Sequence, residues 1–142
     1  MRCKAGAVFC CLAFAFGALG QESATVCMDL SYQNRNQTDY GPLRVAALRG
    51  SATDSQGVAI PKTCVGVFTE TDHKLIAATE TDDNGRFELK GIPDGDYRLV
   101  AKYDGFSPAN AKLRVEHSRS KKLLAVQMRP AGLDTTSFVE LK

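Results

Sequence analysis

Residues 81–106 read TDDNGRFELKGIPDGDYRLVAKYDGF, and this stretch decides the fold. Apolar and polar residues alternate in two short runs, Arg86–Lys90 and Asp96–Tyr103, which lie between clusters of Asp, Asn, Gly and Pro. Alternation with a period of two predicts β-strands that are buried on one face, and the clusters predict tight turns. Asn84-Gly85 favours a hairpin turn with positive φ angles. In the second run the alternation assigns four residues to the buried face: Tyr97, Leu99, Ala101 and Tyr103.

Short strand-like runs separated by clusters of turn residues continue from residue 43 to residue 128, and this pattern predicts seven strands. They are Leu43–Leu48, Thr63–Thr69, Lys74–Thr81, Arg86–Lys90, Asp96–Tyr103, Ala111–Glu116 and Lys122–Met128. No segment has the apolar stripe of a helix. The pattern therefore predicts an all-β fold, a seven-stranded Greek-key β-sandwich of two antiparallel sheets. The polar residues 21–42 form an N-terminal arm in this interpretation, and residues 129–142 form an extended tail that can add an edge strand.

The first twenty residues have the three-part pattern of a secretory signal peptide. Arg2 and Lys4 precede an apolar run of about fifteen residues, which is shorter than the ~20 needed to span a bilayer. Ala18 and Gly20 are the small residues expected before a cleavage site. The pattern predicts cleavage after residue 20 and export to the periplasm, the cell surface or the medium, with no membrane span afterwards. Asn36 begins an N-glycosylation pattern, which matters only in a eukaryotic secretory pathway.

Removal of residues 1–20 changes the charge of the chain. The whole sequence has 18 Lys and Arg against 16 Asp and Glu, and two of the basic residues lie in the signal. The mature chain therefore has 16 of each (18 − 2 = 16) and a net charge of zero. A neutral domain lacks the basic surface that nucleic acids or anionic membranes require, so neither is an expected partner. The basic stretch His117–Lys122 is interpreted as a solvated loop rather than a patch for an acidic partner.

Removal of the signal also changes the number of cysteines in the mature chain. Three of the five cysteines lie in the signal, which leaves Cys27 and Cys64 in the mature chain. Two cysteines in an exported protein predict one disulfide, with two free thiols or a bridge to a partner as alternatives. Alternation in Thr63–Thr69 places Cys64 and Phe68 on the non-core face. Phe68 could be exposed beneath the N-terminal arm, but we prefer to interpret it as a covered apolar contact on that face.

Residues 81–106, together with RGSATDSQGVAIPKTCVGV at 49–67, resemble carboxypeptidase regulatory-like domains, a prealbumin-like (transthyretin-like) family. The resemblance covers about residues 43–128. It implies a seven-stranded prealbumin-like sandwich and very little about function, since such domains accompany peptidases, transporters and surface proteins.

The residues that enzymes of related fold use are missing from this sequence. Intradiol dioxygenases need paired Tyr and His ligands to iron, but the only histidines are His73 and His117, which are not clustered. Hydroxyisourate hydrolases carry a His/Arg site and end in Tyr-Arg-Gly-Ser, whereas this chain ends in FVELK. The oxygen-rich Asp82-Asp83-Asn84 could attract calcium, but turn formation is the preferred interpretation. We therefore expect no enzyme activity, catalytic residue, metal or cofactor.

Three functions remain as hypotheses. The first is a non-catalytic exported binding or interaction module, which contacts a protein or a cell-surface glycan through sheet edges and loops. The second is a structural or adhesive component of a cell-surface assembly. The third, which the missing residues disfavour, is a small transthyretin-like hydrolase.

Overall fold

The computed structural model describes residue 27 and residues 41–117, 122–132 and 136–142. The signal, most of the N-terminal arm, Asn36 and residues 118–121 of the basic stretch lie outside this part. The described residues form nine strands: β1 (Leu43–Val45), β2 (Leu48–Thr53), β3 (Cys64–Thr69), β4 (Leu75–Glu80), β5 (Arg86–Leu89), β6 (Gly95–Lys102), β7 (Ala109–Val115), β8 (Leu124–Gln127) and β9 (Phe138–Leu141). Within this part of the chain, no helix has the length and apolarity to cross a bilayer.

The strands form two sheets. The first has the order β1-β7-β6-β3-β4 and the second has the order β5-β2-β8-β9. Neighbouring strands are antiparallel except for β1 beside β7 and β2 beside β8, which are parallel. The two sheets pack face to face, so the predicted all-β sandwich is confirmed.

Alternating residues from both sheets fill the space between them. The first sheet contributes Val65, Val67, Leu99, Ala101 and Leu113, and the second contributes Leu48, Ala52, Phe87, Leu124 and Val126. Tyr97 also lies in this core, and its hydroxyl donates a hydrogen bond of 2.9 Å to the carbonyl of Pro93. The alternation that predicted the inward face of β6 is therefore correct for Tyr97, Leu99 and Ala101.

The predicted count of seven strands is wrong by two, and one reason is a corner in the first candidate strand. The chain bends at Ala46 and Ala47, so that β1 joins the first sheet and β2 joins the second. Val45 and Leu48 are both buried although they are three residues apart, because each faces the core from a different sheet. β2 also continues through residues 51–53, beyond the predicted end of the strand at Leu48.

The second reason is the C-terminal tail. β9 pairs antiparallel with β8 and forms an edge of the second sheet. Val139 and Leu141 of this strand pack against the core. The tail thus supplies the edge strand that its β-like sequence suggested.

The turn around Asn84-Gly85 does not close a hairpin. It connects β4 in the first sheet to β5 in the second and so carries the chain across the sandwich. Gly85 has a φ of 71°, whereas Asn84 is not among the residues with positive φ. Of the two positive φ angles predicted from Asn-Gly, the one at Gly85 is confirmed and the one at Asn84 is wrong, because a turn between sheets does not have to match the twist of paired strands.

Candidate functional site

A disulfide joins Cys27 to Cys64 on the outer face of the first sheet, with 5.7 Å between the two Cα atoms. Cys64 begins β3, and its side chain points away from the core because Val65 and Val67 point inward. The Cys27 Sγ atom lies 3.7 Å from the carbonyl oxygen of Thr79 on β4. The bridge therefore holds residue 27 over the junction of β3 and β4.

The bridge belongs to a second apolar cluster on the outer face. Cys64, Phe68, Ala78 and Val100 are buried there, and Cys27 and Leu75 pack against them. Phe68 is a covered contact in this cluster, as the preferred interpretation required, and only 1% of it is accessible to solvent. Its position beside Cys64 on the non-core face of β3 was also predicted correctly.

A groove opens at one end of this outer face, beside the disulfide. It has a volume of about 490 Å³ and is lined by Cys27, Lys62, Cys64, Glu80, Lys102, Tyr103 and Asp104. These seven residues are called the disulfide groove below. Its volume lies within the usual range of sites for small ligands.

Strand register places the charged walls of the disulfide groove. Cys64 on β3 pairs with Glu80 on β4 and with Lys102 on β6, so the three residues form one row across the sheet. Lys62 is held beside the end of β4 by a hydrogen bond of 2.9 Å from its backbone N–H to the carbonyl of Thr81. It adopts a positive φ of 57°, which is uncommon for a residue with a side chain.

Tyr103 lines the groove just beyond the end of β6. The alternation of residues 96–103 predicted that it would point into the core, but β6 ends at Lys102 and Tyr103 is 37% exposed. Its ring makes an edge-on contact with Phe106, with 5.7 Å between the ring centroids. Phe106 also donates its backbone N–H to the Tyr103 carbonyl at 3.1 Å. A tight turn therefore holds the aromatic ring at the rim of the groove.

Among the described residues, the charged side chains of the disulfide groove form no ion pairs, in contrast to those elsewhere on the same face. Arg98 is buried and forms a two-pronged pair with Glu70, with N–O distances of 2.8 and 3.1 Å. Arg114 pairs in the same way with Asp96. Within the described residues, no ion pair involves any of the four charged side chains of the groove, which are Lys62, Glu80, Lys102 and Asp104.

The histidines lie at the opposite end of the first sheet. His117 follows β7 and contacts the carboxylate of Asp94 through Nδ1, and this hydrogen bond lowers the pKa of Asp94 below its usual value of 3.8. His73 lies in the turn between β3 and β4. The β3–β4 turn and the end of β7 are not adjacent, since β6 lies between β3 and β7 in the sheet order. A smaller hollow of about 170 Å³ beside His117 is lined by residues of three strands and their loops, Glu88 and Lys90 among them.

Asp82, the first residue of the oxygen-rich cluster, has a structural role in the turn. Its Oδ1 atom accepts hydrogen bonds of 2.9 Å from the backbone N–H groups of Asn84 and Arg86. This oxygen therefore stabilises the turn by accepting backbone hydrogen bonds, which agrees with the interpretation of the segment as a turn. Among the described residues, no group of three or more His, Cys, Asp or Glu side chains is placed to hold a metal ion.

Sequence patterns identified the two cysteines of the groove but missed its other five residues. Residues 62, 80 and 102–104 come from three separate segments, and only the pairing of β3 with both β4 and β6 brings them together. The sequence does place charged or polar residues at the ends of the predicted strands, next to turns. Such residues are common in β proteins, so their presence could not have identified a binding site.

The architecture defines the class of the protein as a prealbumin-like β-sandwich. The carboxypeptidase regulatory-like domain model matches residues 47–129, which is more than half of the chain, and the chain belongs to that family. No curated protein matches the sequence.

Two solved structures of other proteins are similar to this chain. The Klebsiella pneumoniae 5-hydroxyisourate hydrolase is 19% identical, with a TM-score of 0.50, over 68% of this chain and 98% of the hydrolase. The 3-chlorocatechol 1,2-dioxygenase from Rhodococcus opacus 1CP is 12% identical, with a TM-score of 0.39, over 75% of this chain and 62% of the dioxygenase. At 19% identity, the likeness to the hydrolase shows a common fold alone.

Proposed function

We propose that this chain is a non-catalytic exported binding module that contacts its partner through the disulfide groove. One observation carries the proposal: an exposed tyrosine beside a covalent bridge is surrounded by four charged side chains that form no ion pair within the described part of the chain. Charged groups that are not used within the fold are available to an incoming ligand. An exposed aromatic ring adds contact area at low cost in conformational entropy.

The rigidity of the groove supports binding. Glu80, Cys64 and Lys102 lie in one row on three paired strands, and the disulfide fixes residue 27 above them. A site on paired strands is ordered before the ligand arrives, so binding orders fewer groups and loses less entropy.

Export is supported by two independent features. Residues 1–20 have the pattern of a signal peptide. The disulfide between Cys27 and Cys64 is a bond that persists in oxidising compartments and is rare in the cytosol.

The absence of catalysis is supported by the placement of the two histidines. The groove lining contains Lys, Glu, Tyr and Asp side chains, whereas His73 and His117 lie at the far end of the sheet. A hydrolase of the hydroxyisourate type would be expected to carry a His/Arg site, and neither residue type is among the described residues that line the groove. Incubation of the purified mature protein with 5-hydroxyisourate should leave the spontaneous rate of hydrolysis unchanged, and turnover would show that the protein is an enzyme.

The binding proposal is tested by capture from the native envelope fraction. Immobilised mature protein, residues 21–142, is compared with the double variant Lys62→Ala/Lys102→Ala, which removes both groove ammoniums. The matched control is Lys90→Ala/Lys122→Ala, which removes the same charge from two exposed sites outside the groove. We expect the groove variant to lose its captured partner and the control to retain it. Equal capture by all three proteins would reject the groove as the contact surface.

A further inference from the structure

We infer that the ligand of the disulfide groove is a neutral saccharide, an inference that rests on the proposed function and names its ligand class. The charges are arranged in two mixed pairs. Glu80 and Lys62 lie on the β4 side of Cys64, and Lys102 and Asp104 lie on the β6 side. Each wall thus offers one ammonium and one carboxylate, and the groove has no net formal charge.

Mixed walls disfavour charged ligands. A polyanion drawn to Lys62 would also meet Glu80, and a polycation drawn to Asp104 would also meet Lys102. Each favourable contact would be opposed by a like charge of the same wall. A ligand without formal charge avoids this opposition on both walls.

Sugar hydroxyl groups match this set of side chains. Each hydroxyl donates one hydrogen bond and accepts others, so it can donate to a carboxylate and accept from an ammonium at the same time. Hydrogen bonds to ionised groups are stronger than those between neutral groups. Because the four charged groups have no ion-pair partners among the described residues, a sugar does not have to displace a salt bridge.

Tyr103 provides the apolar surface that a sugar ring also requires. Its ring is 37% exposed, and Phe106 supports it by an edge-on contact. The C–H face of a pyranose can pack on such a ring while its hydroxyls reach the charged walls. The groove volume of about 490 Å³ leaves room for an oligosaccharide segment rather than a single small ion.

The inference is tested by titration of isotopically labelled mature protein with maltotetraose, cellotetraose and chitotetraose. Amide resonances of residues 62–64, 80 and 102–104 should shift with at least one of these neutral probes. Trilysine and triglutamate should bind at least about tenfold more weakly, which corresponds to ~1.4 kcal/mol. If none of the three saccharides moves the groove resonances, the inference is wrong.

Variants of Tyr103 separate binding in the groove from adventitious contact. Tyr103→Ala should weaken saccharide binding about tenfold or more, whereas Tyr103→Phe should retain it because the ring remains. Val58→Ala alters an exposed apolar residue elsewhere, 59% accessible, and should have no effect. Undiminished binding by a folded Tyr103→Ala variant would overturn the inference.

The capture experiment distinguishes this inference from the proposed function. Capture of a partner that depends on the groove lysines but not on saccharides would leave the proposed function intact and reject only the ligand class.

Discussion

Two aspartates stabilise two of the tight turns of this protein in the same way. In Asp54–Val58 and in Asp82–Arg86, the aspartate accepts side-chain hydrogen bonds from the backbone N–H groups two and four residues later. Its carbonyl accepts from the glycine three residues later, and that glycine has a positive φ, 83° for Gly57 and 71° for Gly85. The pattern Asp-x-x-Gly therefore specifies one turn geometry at two places.

Substitution of the two turn glycines should separate backbone strain from steric conflict. A Cβ atom at Gly85 would lie 2.6 Å from the carbonyl oxygen of Ala52, whereas a Cβ atom at Gly57 would meet nothing within 4 Å. We expect Gly57→Ala to cost about 1 kcal/mol of unfolding free energy for its φ alone. Gly85→Ala should cost about 2–4 kcal/mol, because the overpacking adds to the strain. Chemical denaturation measures both, and equal losses would show that the contact with Ala52 relaxes freely.

The Arg98–Glu70 pair should matter more to stability than the Arg114–Asp96 pair. The Arg98 side chain is 3% exposed, so its guanidinium depends on Glu70 and on Asn110 for hydrogen bonds. Glu70→Ala would leave a buried cation with fewer partners and should cost about 1–3 kcal/mol. Asp96→Ala is the matched control, since its pair is exposed and screened by water. Similar losses of unfolding free energy for both variants would contradict this ranking.

The Asp96 carboxylate should contribute a small pH dependence to stability. The hydrogen bond from Arg114 lowers the pKa of Asp96 below its usual value of 3.8. A lowered folded-state pKa stabilises the fold above the unfolded value, and that contribution is lost as the pH falls through the folded value. The difference in Tm between the protein and Asp96→Asn should therefore be largest at neutral pH and shrink below pH 3.8. A difference that grows on acidification would show the opposite shift.

Among the elements, the strands predicted best from the sequence are those in which apolar and polar residues alternate regularly. β3 and β5 lie within the predicted runs, β6 begins one residue before its run, and the inward residues of all three contribute to the core. The corner at Ala46 and Ala47 was missed because a change of sheet depends on distant partners, here β7 and β8.

Gly50 is the clearest case in which a local interpretation failed. The predicted strand Leu43–Leu48 ends before Gly50, but Gly50 lies inside β2, where a Cβ atom would come within 1.9 Å of the Leu124 carbonyl oxygen. Glycine is required there by the close approach of β8 and not by a turn. The pairing of β2 with β8 joins segments that are far apart in the sequence, so this requirement could not be predicted from residues 43–57.

The disulfide should be a major source of stability for the first sheet. It joins residues 37 positions apart, and the loop-closure model gives about 3–4 kcal/mol for a loop of this length. Cys27→Ser/Cys64→Ser should lose about that much unfolding free energy relative to the oxidised protein. The reduced wild-type protein is the control and should match the double variant. Mass analysis of the alkylated, unreduced protein should find no modified thiol, and two modified thiols would show that the bond is absent.

At the scale of the whole molecule, the two ends of the first sheet differ in chemistry. One end has the disulfide groove, whose charged side chains form no ion pair with any described residue, and the other has His117 paired with Asp94. The residues of the groove come from separate segments, so its existence follows from strand register and not from any motif. The fold class could therefore be predicted from residues 81–106, whereas the candidate site could not.

Site-specific photo-crosslinking in the native host tests the central claim most directly. The photoreactive amino acid benzoylphenylalanine replaces Tyr103 in the groove or, as the matched control, the exposed Val58 outside it. We predict that irradiation yields a discrete covalent adduct from position 103 and none from position 58. An adduct from position 58 alone, or no adduct from position 103, would contradict the assignment of the disulfide groove as the binding surface.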